Sequence, residues 1–177
     1  MSDLLIRPAT AADIAAITAI YDHAVRFGTA TFEIDPPDGA EMTRRFGALT
    51  ADGFPYLVAA RNGAVIGYAY AGPYRARPAY RFTVENSIYL APAAQRRGVG
   101  TRLLRELVDL SATRGFRQMI AVIGDSTNAA SIGLHRRAGF EMTGTFTAVG
   151  FKFGRWLDAV LMQRALGDGD ASVPPAS

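Results

Sequence analysis

Two cations and two glycines stand together at Arg96-Arg97-Gly98-Val99-Gly100, directly before a helical pattern that begins at Thr101. A helix N-terminus offers unpaired N–H groups and the positive end of the helix dipole. Glycine lets a ligand come close to that backbone. The segment is therefore shaped for an anion, above all a phosphate or pyrophosphate. No Gly-Lys-Ser/Thr is present, which excludes a P-loop. A dinucleotide fingerprint calls for a third glycine where Leu103 stands, although Asp125 follows the next apolar run about where a ribose-binding acid belongs. A surface turn of basic and small residues is the competing reading.

Glu85 is the most informative titratable residue. Along Tyr80 to Tyr89, alternation sets Phe82, Val84, Ile88 and Leu90 on one face and Glu85, Ser87 and Tyr89 on the other. A half-buried carboxylate in a central strand can serve as a general base. The plain alternative is an exposed or arginine-paired glutamate. Arg75 and Arg77 in the preceding loop, with Arg81 beside them, could receive an anionic substrate group in bidentate fashion. Solvated loop arginines are the alternative there. Asn128 and Ser131 open a later helix, where capping accounts for both. His135 on that helix reads as structural unless something else engages it. Tyr21, Tyr56 and Tyr68 read as packing residues.

These groups need elements to hold them. Leu4 to Arg7 reads as a first strand, and Thr10 caps a helix over Asp13 to Val25 whose apolar face is Ile14, Ile17, Ile20, Tyr21 and Ala24. After Pro36-Pro37, Asp38 caps a second helix over Gly39 to Leu49. Tyr56 to Ala60 and Val65 to Ala71 form a hairpin about Asn62-Gly63. A long strand from Tyr80 to Leu90 feeds the basic loop and a helix from Thr101 to about Gly115, with Leu103, Leu104, Leu107, Val108 and Ser111 in one stripe. Met119 to Ile123 is a buried strand, Ala129 to Arg137 a helix stopped at Gly139. Strands over Glu141 to Val149 and Trp156 to Gln163 follow, joined by Gly150 to Gly154. The order β-α-α-β-β-β-α-β-α-β-β argues for one mixed α/β domain over residues 1–166. The Gly, Asp, Ser and Pro of Gly167 to Ser177 predict a disordered tail.

The 177 residues are 49% hydrophobic and 20% charged, with net charge +3, an ordinary globular balance. The mild charge implies no nucleic-acid partner. The absence of cysteine excludes disulfides and thiolate chemistry, and two histidines, His23 and His135, speak against a histidine-rich metal site. Asp3 and Arg7 near the start, with no apolar stretch of h-region length, predict no signal peptide, and no run is long enough to span a bilayer. A soluble cytoplasmic protein is expected.

Taken together the motifs resemble a family. Gln95-Arg96-Arg97-Gly98-Val99-Gly100-Thr101 is similar to the Q/R-x-x-G-x-G/A signature of the GNAT N-acetyltransferases, and Asn128 to Phe140 to their second signature. Ala30 to Glu33, Tyr68 to Pro73, Tyr80 to Tyr89, Ile120 to Gly124 and Val149 to Asp158 resemble the phosphinothricin and methionine sulfoximine acetyltransferase branch. The resemblance implies a GNAT fold: a mostly antiparallel, splayed sheet flanked by helices. It implies acetyl-CoA as co-substrate, without a metal, a small amine acceptor, and a homodimer. It assigns Arg96, Arg97, Gly98, Val99, Gly100 and Thr101 to the pyrophosphate. Ile88, Tyr89 and Leu90 fall to the pantetheine arm, which pairs with backbone as an added strand would. Asn128, Ser131 and His135 fall to the cofactor as well. Phe32, Arg75, Ala76, Arg77, Tyr80, Asn86 and Ser87 fall to the acceptor, with Glu85 as base. Many members carry a tyrosine acid where this chain has His135. That substitution matches the branch and leaves three sources of the thiolate's proton: His135, water or none, since a thiol with pKa about 8.5 leaves readily. A protein N-terminal or lysine acetyltransferase and a non-catalytic acyl-CoA sensor are the alternative readings.

Overall fold

The computed structural model describes residues 4–174. Seven strands form one sheet in the order β1-β2-β3-β4-β5-β7-β6. β1 (Leu5–Pro8) pairs antiparallel with β2 (Tyr56–Arg61), and β2 with β3 (Ala64–Pro73). Between the last two, Asn62 and Gly63 have φ of 51° and 80°. Two consecutive left-handed residues make the primed turn that matches strand twist, as Asn-Gly predicts. β3 pairs antiparallel with β4 (Thr83–Leu90) over Val84 to Leu90.

β4 is shorter than the sequence suggests. Tyr80 and Arg81 are not strand residues: Pro78 opens a 3-10 turn in which Tyr80 N donates to Arg77 O at 2.9 Å and Arg81 N to Pro78 O at 3.1 Å. Proline's fixed φ suits a turn start better than a ladder. The alternation proposed for the strand holds. Val84, Ile88 and Leu90 pack under α3 (Val99–Thr113), and Tyr89 packs on the other face against α1 (Ile14–Phe27).

α3 crosses from β4 to β5 (Gln118–Gly124), giving the sheet its one parallel pair. Leu103, Leu104, Leu107 and Ser111 are fully buried, as their stripe requires. The helix starts at Val99, so Gly100 and Thr101 belong to its first turn. α2 (Gly39–Ala51) covers β2 beside α1, and Asp38 accepts from Glu41 N at 2.8 Å, the expected cap. At the other end Thr10 meets Asp13 through the Asp13 carboxylate, which also holds Arg7 at 2.7 Å and so ties β1 to α1.

α4 (Ala129–Arg137) ends at Gly139, φ 83°, as predicted. β6 (Glu141–Lys152) and β7 (Arg155–Ala165) are longer than the sequence pattern shows and meet at Phe153-Gly154, φ 52° and 72°, instead of a five-residue link. An irregularity between Phe146 and Gly150 absorbs the extra residues, with Ala148 at φ 53°. Beyond β7, Leu166 is buried and Gly167 to Ser172 form turns, with Gly169 N on Leu166 O and Asp168 near Arg117 at 3.5 Å. The last residues of the expected disordered tail, 175–177, lie outside the described residues, as does Asp3. No helix among the described residues is long and apolar enough to cross a membrane.

Candidate active site

β4 and β5 pair only from Thr83–Gln118 to Asn86–Ala121. Past that point β4 continues along β3 as far as Leu90, while β5 continues along β7 as far as Gly124. The two strands diverge, and one edge of Ser87 to Leu90 is left without a strand neighbour. The resulting cleft is lined by Asn86, Ser87, Ile88 and Tyr89 from β4, by Ala121 to Gly124 from β5, by Asn128, Ser131 and His135, and by Ala30. Seven residues singled out in the sequence therefore share one cavity. The β5 wall and Ala30 lie in segments that resemble the branch but were given no site role. A continuous apolar run gives no sign of which residues will lose their partner strand.

Leu90 leads to the basic loop. Gly98 is the N-cap of α3 and adopts φ 78°, and Arg96 is also left-handed at 56°. The first bond back onto the cap is Arg102 N to Gly98 O at 3.2 Å. Among the described residues, the turn and cap bonds use no amide from Arg96 to Thr101, so this arc of donors is open to an anion. A Cβ at Gly98 would meet nothing within 4 Å, which leaves the approach clear. Asp125, the ribose candidate, is committed elsewhere. It accepts from Thr127 N and Oγ1 and from Arg155 Nη2 at 2.5 Å, and these bonds hold its carboxyl down to about 2. It fastens the β5–α4 turn.

Across the cleft, Asn86 Nδ2 donates to Ile120 O at 3.1 Å, which turns Oδ1 toward His135 Nε2 at 3.0 Å. Nε2 therefore carries a proton. His135 Nδ1 lies 2.9 Å from the Ser131 carbonyl and 3.4 Å from its hydroxyl. The neutral ring can accept from the hydroxyl there, and the charged ring can donate to the carbonyl. Burial lowers the His135 pKa, so the neutral form is favoured, while the Ser131 backbone bond works the other way. Asn128 caps α4 through Ser131 N at 3.1 Å, the structural role its type suggests.

Glu85 lies on the α1 face of β4, opposite Gly72 of β3. Burial raises its carboxyl pKa above the ordinary value, and the Arg75 guanidinium draws it part of the way back. Arg75 stands over the Tyr74 ring at 5.1 Å, and Tyr74 meets Tyr80 edge-on at 5.6 Å. Arg77, Ala76 and Tyr80 are exposed on the same loop. Thus β4 and the loop before it bring together a desolvated carboxylate, a guanidinium within electrostatic reach and the open strand edge. Phe32 reaches this region from the α1–α2 loop, its ring against Gly124 and Gly150. Tyr21, Tyr56 and Tyr68 are buried in the core between α1, α2 and the sheet, as expected. Among the described residues, no group of three or more acidic, histidine or cysteine side chains could hold a metal.

A splayed sheet beside a glycine-capped helix gives an open strand edge next to an anion-ready N-terminus, and the comparisons supply the class of protein that carries it. The chain belongs to the acetyltransferase (GNAT) family, whose sequence model matches residues 17–140, and it is an acetyltransferase. It is 54% identical over 162 residues to a phosphinothricin N-acetyltransferase of Alcaligenes faecalis, covering 92% of this chain and 82% of that one. An L-methionine sulfoximine/L-methionine sulfone acetyltransferase of Pseudomonas paraeruginosa is 45% identical, over 89% of this chain and 92% of its own. The crystal structure of a GNAT superfamily phosphinothricin acetyltransferase from Sinorhizobium meliloti, in complex with acetyl-CoA, superimposes with a TM-score of 0.95 at 53% identity, covering 99% and 94% of the two chains.

Proposed function

We propose that this protein transfers the acetyl group of acetyl-CoA to the α-amino group of a small amino-acid analogue of the phosphinothricin, methionine sulfoximine or methionine sulfone type. Transfer is by direct attack in a ternary complex. The observation that carries the reading is the divergence of β4 and β5, which exposes a strand edge between an anion-ready helix N-terminus and a desolvated carboxylate. The names and high identities of the relatives support the acceptor class.

Acetyl-CoA supplies an activated acetyl thioester. The chain's own groups do the rest. The amides from Arg96 to Thr101 hold the pyrophosphate at the dipole's positive end. The free edge of Ile88 to Leu90 aligns the pantetheine arm, and a backbone N–H there polarises the thioester carbonyl. Glu85 removes a proton from the substrate ammonium, directly or through water, because only the free amine has a lone pair to attack with. Its raised pKa makes it a better base than a solvated carboxylate. Arg75, Arg77 and Tyr80 receive the acceptor's anionic end, with Phe32, Ala76, Asn86 and Ser87 completing the pocket. Asn128 and Ser131 flank the cofactor arm. The thiolate's proton comes from His135, once its Nε2–H leaves Asn86 Oδ1, or from water, or no donor is needed because the thiolate leaves readily. The working unit is a homodimer.

The test is a panel of amines with acetyl-CoA, read by thiol release, for wild type and Glu85→Gln. Turnover of amino-acid analogues by the wild type, with kcat lowered roughly a hundredfold or more in the variant and acetyl-CoA affinity retained, is the expected result. Full activity in the variant removes Glu85 as base. Acetyl-CoA binding without turnover of any amine points to a sensor.

A further inference from the structure

Lys152, the last residue of β6, is a buried lysine that forms no salt bridge among the described residues, although the Glu33 charge acts on it from a distance. It is 4% exposed, and its ammonium donates to the carbonyls of Gly28 and Thr31, both at 2.9 Å. It also stands 5.0 Å from the centre of the Phe153 ring. Burying an ammonium is costly unless its protons are well used. Here two of them are used on one irregular segment more than a hundred residues away in sequence. That segment leaves α1 at Gly28 and has no regular structure of its own before α2. On its other side Tyr21 OH meets Thr31 Oγ1 and Glu33 Oε1, both at 2.9 Å, and Arg45 holds Glu33 at 2.6 Å. Beneath it lie two positions with no room for a side chain. A Cβ at Gly124 would fall 2.1 Å from Thr29 O, and one at Gly150 would fall 2.6 Å from the Phe32 ring. The segment so gripped supplies Ala30 to the cleft opposite Ser87 to Tyr89.

We propose that Lys152 is a positioning residue for acceptor binding: its ammonium fixes the Gly28–Thr31 segment on the β6–β7 hairpin, so that Ala30 and Phe32 form the acceptor-side wall of the cleft. The inference rests on the acetyltransferase reading above for what the wall contacts. Lys152 touches no reacting atom and acts through the segment.

The test compares wild type with Lys152→Met, which keeps the aliphatic stem and removes the donors. The expected result is a KM for the amine raised about tenfold or more, with acetyl-CoA affinity changed less than about threefold. Backbone amides of Gly28 to Glu33 should exchange faster with solvent in the variant. An unchanged KM for the amine, or a fall in kcat alone, overturns the proposal. If Lys152→Met does not fold, Gly150→Ala serves instead. It retains the ammonium and displaces the Phe32 ring, and it should show the same selective rise in KM; no rise overturns the proposal. If the wild type acetylates no amine in the panel, the functional reading falls on its own account. The clamp is then judged by exchange at Gly28 to Glu33, where equal rates in wild type and Lys152→Met overturn it.

Discussion

At the scale of single residues, the chemistry depends on how far each charge has been taken out of water. Glu85 loses hydration on a central strand and its pKa rises, while Arg75 opposes the shift. The sign gives a pH prediction. Glu85 must be ionised to act as base, so kcat/KM should fall as pH drops through its raised pKa. Removing Arg75 removes the opposing influence, so Arg75→Gln should move the acidic limb of the kcat/KM profile to higher pH. A limb that stays in place or moves down would show that Arg75 does not act on the base. The identity of Glu85 as a candidate was legible, because a carboxylate in the middle of a strand that feeds the glycine loop is unusual. Its desolvation was not, since that depends on what α1 and the β3–β4 loop bring over it. Lys152 was given no role because the sequence places it in the Gly150–Gly154 link between two strands, where a lysine reads as exposed.

At the scale of elements, the strand–loop–helix from Ser87 to Thr113 carries the proposed cofactor site. Its length, order and glycine positions were readable, since the apolar period changes from two to 3.6 on either side of the loop. The structure moved the helix start two residues upstream of Thr101 and turned the Tyr80 end of the strand into a 3-10 turn. At Gly98 the left-handed backbone, φ 78°, is the requirement; the surrounding space is open. A β-branched residue pays about 1–2 kcal/mol to adopt that conformation. Gly98→Val should therefore weaken acetyl-CoA binding about tenfold or more, as measured by calorimetry, by rotating the amides away from the pyrophosphate. Unchanged affinity would take the anion site away from this loop.

At the scale of the whole molecule, the two ends of the sheet differ. The β1–β4 side is covered on both faces by α1, α2 and α3, whereas β6 is an edge strand with most of its residues exposed. Phe146, Val149, Phe151, Phe153 and Trp156 are each more than half exposed, from 54% to 64%. An apolar surface of this extent on an edge hairpin fits a protein partner, and a second copy of the chain is the expected one. Sedimentation should show a dimer, and joint replacement of Phe151 and Trp156 by serine should give a monomer. A monomeric wild type would remove this interface. The sequence by itself determined the class of fold, the order of its elements and the glycine loop, because local periodicity and turn chemistry encode them directly. It also indicated which side chains could act. Only the tertiary structure decided that β4 and β5 part company after Asn86, that Asp125 is spent on Arg155, and that Lys152 grips the α1–α2 segment. Each of these joins residues at least thirty positions apart in the chain. Such pairings are set by how the layers pack, which no local pattern records.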